Sequence, residues 1–155
     1  MQNVLVVIPP RKEPERAIQA AIDLAKRRGV RLVTLIVLDP RLAARVANQL
    51  IEVGFMGEQI GDQVTDVIEH EYRSDAETLL QRISERAQRE GVNVTALLEE
   101  GERGEVCARI IRAYEIGTAL LVTEKHSWLT RFLSRSAAAR LPALAGCEVR
   151  LMEEE

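Results

Sequence analysis

The segment from Glu124 to Arg140 concentrates basic side chains of the kind that bind anions. Its cations are Lys125, Arg131, Arg135 and Arg140. They stand against one carboxylate, so the segment has a formal charge of 4 − 1 = +3 in a chain of net charge −3. Ser136 is placed to cap a short predicted helix over 136–141, and the free N–H groups of such a terminus attract anions. The segment has two interpretations, a site for a small anion such as phosphate or sulfate, and a solvated basic surface.

Cysteine and histidine are the other residues whose side chains could bind a ligand or take part in a reaction. Cys107 and Cys147 lack the spacing and partners of a zinc site, and we expect core positions for both, with a redox pair as the alternative. His70 lies in a charged helical stretch and is predicted to be solvated, whereas His126 follows a strand and is a candidate for ligand contact. Motifs of serine hydrolases, Walker loops and zinc proteases are absent from the sequence. We therefore predict no catalytic centre and no metal.

Length and composition limit the class of protein. The chain has 155 residues, 46% of them hydrophobic and 29% charged, which predicts one globular domain spanning 1–155. A net charge of −3 gives no basic excess for nucleic acid. No apolar stretch approaches the roughly 20 residues that span a bilayer, and no secretory signal is visible. We expect a cytoplasmic protein that binds neither membrane nor nucleic acid.

The elements that must position these residues alternate along the chain. Five segments have the apolar, β-branched character of strands, at 3–8, 30–38, 92–97, 119–122 and 147–152. Helical patterns separate them, with Gly29, Gly91 and Gly117 predicted to end three of the helices. Between the second and third strands, residues 41–91 are helical, and Gly54, Gly57 and Gly61 suggest a joint between two helices there.

Strands separated by helices require crossover connections, which are right-handed and place helices on both faces of a sheet. The sequence therefore predicts a doubly wound, Rossmann-like α/β fold with a mostly parallel five-stranded sheet. Ligands of such folds bind at the C-terminal ends of the strands, where the strand order reverses. The loops after Ile8, Leu38 and Val122 are accordingly the places where we expect a binding site.

The chain resembles the universal stress protein family over essentially its whole length. The resemblance rests on the first strand followed by Pro14-Glu15-Arg16-Ala17, on the second strand ending Val37-Leu38-Asp39-Pro40, and on the Gly101-Glu102 step. It also rests on Gly146-Cys147-Glu148-Val149, which looks like the family's Cys-Pro-Val entry into its last strand. This resemblance implies the doubly wound fold and a homodimer formed through the last strand.

The family's nucleotide motif is the part that differs. Nucleotide-binding members carry Gly-x2-Gly-x9-Gly-Ser/Thr after the fourth strand, where glycines let backbone N–H groups approach phosphates. At the matching positions this chain has Thr123, His126 (or Lys125) and Arg135, and it retains Ser136. Residues 118–145 contain no glycine. The resemblance therefore implies weak or absent ATP binding, with these five residues as candidates for a nucleotide or anion site.

The residues and the family resemblance together suggest three alternative functions. The first is a non-enzymatic regulatory or stress-response module without strong ATP binding. An alternative is a nucleotide-binding protein or slow ATPase that uses Ser136 and the basic side chains. A further alternative is an interaction subunit that docks on another protein through the helices of 41–91. No cofactor is expected, with ATP or a small anion as the candidate ligand.

Overall fold

A computed structural model describes residues 2–10, 12–41, 58–124 and 147–154 of the chain. Its strands are β1 (Asn3–Val7), β2 (Leu32–Leu38), β3 (Val94–Glu100), β4 (Ile116–Glu124) and β5 (Glu148–Glu154). Its long helices are α1 (Glu15–Arg28), α2 (Glu58–Arg89) and α3 (Arg103–Ala113). The strands form one parallel sheet in the order β3-β2-β1-β4-β5. This is the predicted doubly wound α/β fold.

Alternate side chains of the central strands enter two cores on opposite faces of the sheet. Val4 and Val6 of β1 face α1 and α2, whereas Leu5 and Val7 face α3. All four are buried, because a parallel strand covered on both faces must be apolar on both. The first predicted strand is therefore confirmed and lies at the centre of the sheet, whereas β3 lies at one edge.

Helix α1 shows why the sequence folds locally as predicted. Its apolar positions recur at helical spacing and are buried, and its last turn carries three cations next to the carbonyl end of the helix dipole. Gly29 ends the helix with φ of 64°, a left-handed conformation that favours glycine, and its N–H meets the Lys26 carbonyl at 3.3 Å. The predicted cap at Gly29 is confirmed.

Two glycines differ from their predicted roles. Gly61 lies within α2 and does not separate two helices, because one glycine costs a helix only about 1 kcal/mol. Gly117 lies inside β4, and α3 ends earlier, at Ala113. A Cβ at Gly117 would come within 2.5 Å of the Cβ of Gln2, so close approach of the chain explains this glycine. The first helix predicted within 41–91 falls largely outside the described residues, as does the helix predicted at 136–141.

In the part of the chain that the structure describes, no helix is both long and apolar enough to cross a membrane.

Candidate functional site

The C-terminal ends of the parallel strands meet at one edge of the sheet. The order β3-β2-β1-β4-β5 reverses between β1 and β4, because the chain proceeds from β1 to β2 on one side and places β4 on the other. Such a reversal opens a crevice at the strand ends. The loops predicted to carry the site, after Ile8, Leu38 and Val122, all begin at this edge.

A cavity of about 220 Å³ lies at this edge, between the ends of β2 and β3 and the first half of α2. Two of the three predicted loops contribute to its wall, and α2 contributes a further part of the lining. Its lining residues are Pro10, Leu38, Asp39, Pro40, Asp66, Glu69, His70, Tyr72, Arg73 and Glu100. The volume is below the range of about 300 to 1,000 Å³ that is common for sites of drug-sized ligands.

The lining of the cavity is acidic. Its four carboxylates oppose one guanidinium, that of Arg73, which forms an ion pair with Glu100. A second lining carboxylate, Asp39, accepts a 2.8 Å hydrogen bond from Nη2 of Arg41, and this bond raises the pKa of Arg41. Asp66 and Glu69 are exposed on α2 at the mouth of the cavity. This arrangement favours neutral or cationic groups over phosphates.

A half-buried guanidinium, that of Arg103, lies at the other side of the edge, where α3 begins. The carboxylate of Glu102 caps α3 by accepting hydrogen bonds from the N–H groups of Gly104 (3.0 Å) and Glu105 (2.8 Å). The next residue, Arg103, directs its side chain to the end of β4 and donates from Nη2 to the carbonyl of Val122 at 3.2 Å. Burial lowers the pKa of the Arg103 guanidinium, because the charged form loses its water.

The predicted anion-site residues are only partly within the described chain. The backbone of Thr123 lies in β4 and pairs in register with Glu153 of β5. Lys125, His126, Arg135 and Ser136 lie outside the described residues.

Sequence reasoning missed the cavity residues of α2 and the role of Arg103. His70 is exposed, as predicted for a solvated residue, and it also lines the cavity. The sequence predicts a helix at Tyr72 and Arg73 and no site there. The signal for them is their position about one turn before Ala76, the first residue described as buried in α2. This start of burial indicates that the preceding turns extend past the core.

The two cysteines are free thiols. Cys107 is 2% exposed on the core side of α3, which confirms its predicted core position, and burial raises its pKa to about 11. Cys147 is half-buried and packs against the same core. Among the described residues, no group of three or more His, Cys, Asp and Glu side chains is arranged to hold a metal ion.

Parallel strands, helices on both faces and a cleft at the strand ends define a doubly wound α/β protein. Within that class, the model of the universal stress protein family matches residues 1–151, and the chain belongs to this family. The family assignment makes this a protein of the stress-response type. No curated protein matches the sequence.

Solved structures of family members share the fold at low sequence identity. A universal stress family protein from Burkholderia pseudomallei is 20% identical with a TM-score of 0.61, covering 96% of this chain and 94% of its own. The universal stress protein from Archaeoglobus fulgidus in complex with dAMP is 16% identical with a TM-score of 0.59, covering 97% of both chains. A universal stress protein in complex with cAMP is 14% identical with a TM-score of 0.58, covering 99% of this chain and 98% of its own.

Proposed function

We propose that this protein is a non-enzymatic regulatory module of the stress response, which acts in the cytoplasm as a homodimer and does not bind ATP strongly. The observation that carries the proposal is the acidic lining of the cavity at the strand ends. A triphosphate placed at this edge would be repelled by the carboxylates of Asp66 and Glu69, for which the described residues provide no ion pair. Because both carboxylates are exposed, water and salt screen part of this repulsion, and the repulsion is strongest at low salt.

The sequence of β4 and of the chain that follows it supports the same conclusion. Residues 118–145 contain no glycine, so no position there offers the unhindered backbone that a phosphate-binding loop needs. The cavity volume of about 220 Å³ also suits a ligand smaller than a nucleoside triphosphate.

A second candidate function is binding of a nucleotide with fewer phosphates, through Thr123, Lys125, His126, Arg135 and Ser136. It is supported by two solved relatives, one in complex with dAMP and one with cAMP, because each ligand carries a single phosphate group. Basic side chains would replace the glycine backbone as the phosphate ligands. A slow ATPase that uses Ser136 and the basic side chains is a separate form of this alternative, because it must bind ATP itself.

A homodimer through β5 is part of the proposal. Strand β5 is the last strand of the sheet, and its outer side faces no other strand among the described residues. Leu151 is 43% exposed there, one of two large hydrophobic side chains exposed in the described chain. An open edge with an exposed apolar residue favours pairing with a second copy.

A protein partner at the region 41–91 is the third candidate. The other exposed hydrophobic residue, Val67, is 58% exposed on α2, and Ile68 and Tyr72 near it are half-buried. An apolar group on a helix that extends past the core is typical of a contact surface.

The nucleotide content of the purified protein tests the first two candidates against each other. Protein denatured directly after purification should release no ATP when the extract is separated by chromatography and read by absorbance. Release of AMP or cAMP in a stoichiometric amount would favour the second candidate, and release of ATP would contradict the proposal.

A pair of charge variants tests whether the carboxylates of the cavity repel phosphates. If the cavity carboxylates repel phosphates, Asp66→Asn with Glu69→Gln should strengthen Mg-ATP binding in a calorimetric titration. The matched control is Glu71→Gln with Glu77→Gln, which removes the same charge from exposed positions of α2 outside the cavity. Equal effects of the two pairs would show that only net charge matters and would remove the cavity from the argument.

A further inference from the structure

The edge of the sheet opposite the cavity is basic. The parallel strands begin at this edge and the helices end there, so the last turns of α1 and α2 lie near the start of β2 and β3. Exposed cations concentrate at this place. They are Lys26, Arg27 and Arg28 at the end of α1, Arg31 just before β2, and Arg89 at the end of α2, and we call this set the basic edge.

Hydrogen bonds fix two of these guanidinium groups without neutralising them. Arg28 donates from Nη1 to the hydroxyl of Thr118 at 2.8 Å. Arg31 donates from Nη1 to the hydroxyl of Thr95 at 3.0 Å. Threonine is a neutral acceptor, so each guanidinium keeps its full charge, and one bond occupies only part of its N–H donors. The two side chains are therefore held in place with donors left for a further partner.

Ion pairing separates the basic edge from other parts of the described chain. Six arginines elsewhere each contact a carboxylate, namely Arg41, Arg73, Arg82, Arg86, Arg109 and Arg150. Within the described residues, none of the five cations of the basic edge forms such a pair, and neither do Glu90 and Glu115, two carboxylates near them. Glu148 begins β5 near Arg28, but Arg150 binds it at 2.9 Å, and this hydrogen bond is the main reason why the pKa of Glu148 is lowered.

The helix dipoles account for only part of this positive charge. Cations in the last turn of a helix are stabilised by its carbonyl end, which carries a partial charge of about half a unit. Helix α1 has three cations in its last turn, and Arg31 lies outside the helices. Most of the charge of the basic edge therefore has no role in capping the helices.

The features of this edge distinguish between classes of negative partner. Single-stranded nucleic acids are bound by cations together with stacking aromatic side chains, and duplexes by a helix or ribbon that enters a groove. Helices end at this edge, and its aromatic residue Tyr114 is half-buried. Amphipathic membrane binding needs apolar anchors, and the exposed large hydrophobic residues of the described chain, Val67 and Leu151, lie elsewhere. A carboxylate-rich protein segment needs neither feature.

We propose that the basic edge is a docking surface for an acidic segment of a partner protein, a run of Asp and Glu side chains. Planar guanidinium groups bind carboxylates through paired hydrogen bonds, and four of the five cations are arginines. Arg28 and Arg31 make the most specific contacts, because their threonine partners already orient them. This surface goes beyond the proposed function and is separate from the cavity, which lies at the opposite edge of the sheet.

Fluorescence anisotropy of a labelled oligoglutamate peptide, titrated with the whole chain, tests this proposal. The peptide should bind saturably at about 50 mM salt and more weakly at about 500 mM, because salt screens exposed charges. Arg28→Gln with Arg31→Gln should weaken the affinity by about tenfold or more. The matched control is Arg16→Gln with Arg109→Gln, which removes the same charge from exposed positions outside the basic edge and should have a much smaller effect.

A second variant keeps the test decisive if the first does not fold. Lys26→Gln with Arg27→Gln changes two exposed side chains of the basic edge that form no side-chain hydrogen bond within the described residues, and it should also weaken peptide binding. Absence of saturable peptide binding would overturn the proposal, as would equal affinities of the edge and control variants. Duplex DNA and phosphatidylserine vesicles are parallel probes, and tighter binding of either one than of the peptide would overturn the assignment to a protein segment.

Discussion

Arg73 of α2 forms an ion pair with Glu100, the last residue of β3, and the pair forms one wall of the cavity at the strand ends. The two side chains are 43% and 57% exposed. Water and salt screen an ion pair at this exposure, so its contribution to stability is small. Its consequence is electrostatic, since Arg73 is the guanidinium that offsets part of the carboxylate charge of the lining.

Arg73→Gln should therefore change the free energy of unfolding by less than about 1 kcal/mol, as measured by urea denaturation. Arg112→Gln, an exposed change outside the cavity, is the reference. A loss above about 2 kcal/mol would contradict this prediction, because it would require a buried role for the pair.

The pH dependence of stability should contain a contribution from Cys107. Its pKa is raised by burial to about 11 from an ordinary 9.0, so the folded state holds the thiol proton more tightly than the unfolded state. The contribution of this thiol to the free energy of unfolding is then fully present below pH 9. It is lost as the pH rises toward 11, by about 2 to 3 kcal/mol in total. Urea denaturation at pH 8 and at about pH 10.5 measures the loss.

Cys107→Ala isolates this contribution from the other groups that titrate at high pH. The stability difference between wild type and variant should shrink by about 2 kcal/mol between pH 8 and about pH 10.5. A difference that stays constant over this range would show that the thiol is not desolvated in the folded state.

Glu102→Ala should destabilise the protein by about 1 kcal/mol, because two N–H groups of α3 lose their hydrogen-bond acceptor. Thermal or urea unfolding measures the change. Glu105→Ala removes an exposed carboxylate from the same first turn without removing the cap, and its effect should be smaller. Equal losses for the two variants would assign the effect to helix charge alone.

Leu151→Lys should convert the proposed homodimer to a monomer at tens of micromolar protein in sedimentation velocity. A cation at the exposed position of β5 opposes pairing of two copies of this edge. Val67→Lys makes the same change at the other exposed hydrophobic residue, on α2, and should leave the dimer intact. A wild-type protein that sediments as a monomer would contradict the dimer, and a dimer that survives Leu151→Lys would contradict its assignment to β5.

The central strands were predictable because they are mostly apolar on both faces, with Thr34 and Thr118 as their buried polar residues. The run from Val4 to Ile8 has no polar side chain, and a segment of that kind is stable only between two layers. The position of Gly117 inside β4 was not predictable, because a glycine is needed there for the close approach of Gln2, which is far from it in the sequence. Gly61 misled the prediction because glycine also occurs inside long helices.

The cavity could be predicted only in part. The loops after β1 and β2 follow from the rule for parallel sheets, and Pro10 and Asp39 are indeed in the lining. The contribution of α2 to the cavity depends on how far that helix extends past the sheet and on which of its faces is directed to the strand ends. Both features are set by the packing of the second half of α2, from Ala76 onward, against the core. The pattern of apolar residues along the helix does not predict them.

Calorimetric titration of the purified wild-type protein with Mg-ATP tests the central claim most directly. We predict no saturable binding at micromolar ATP, because the cavity at the strand ends is lined by carboxylates and residues 118–145 contain no glycine to approach a triphosphate. A single saturable site of micromolar or tighter affinity would contradict the account.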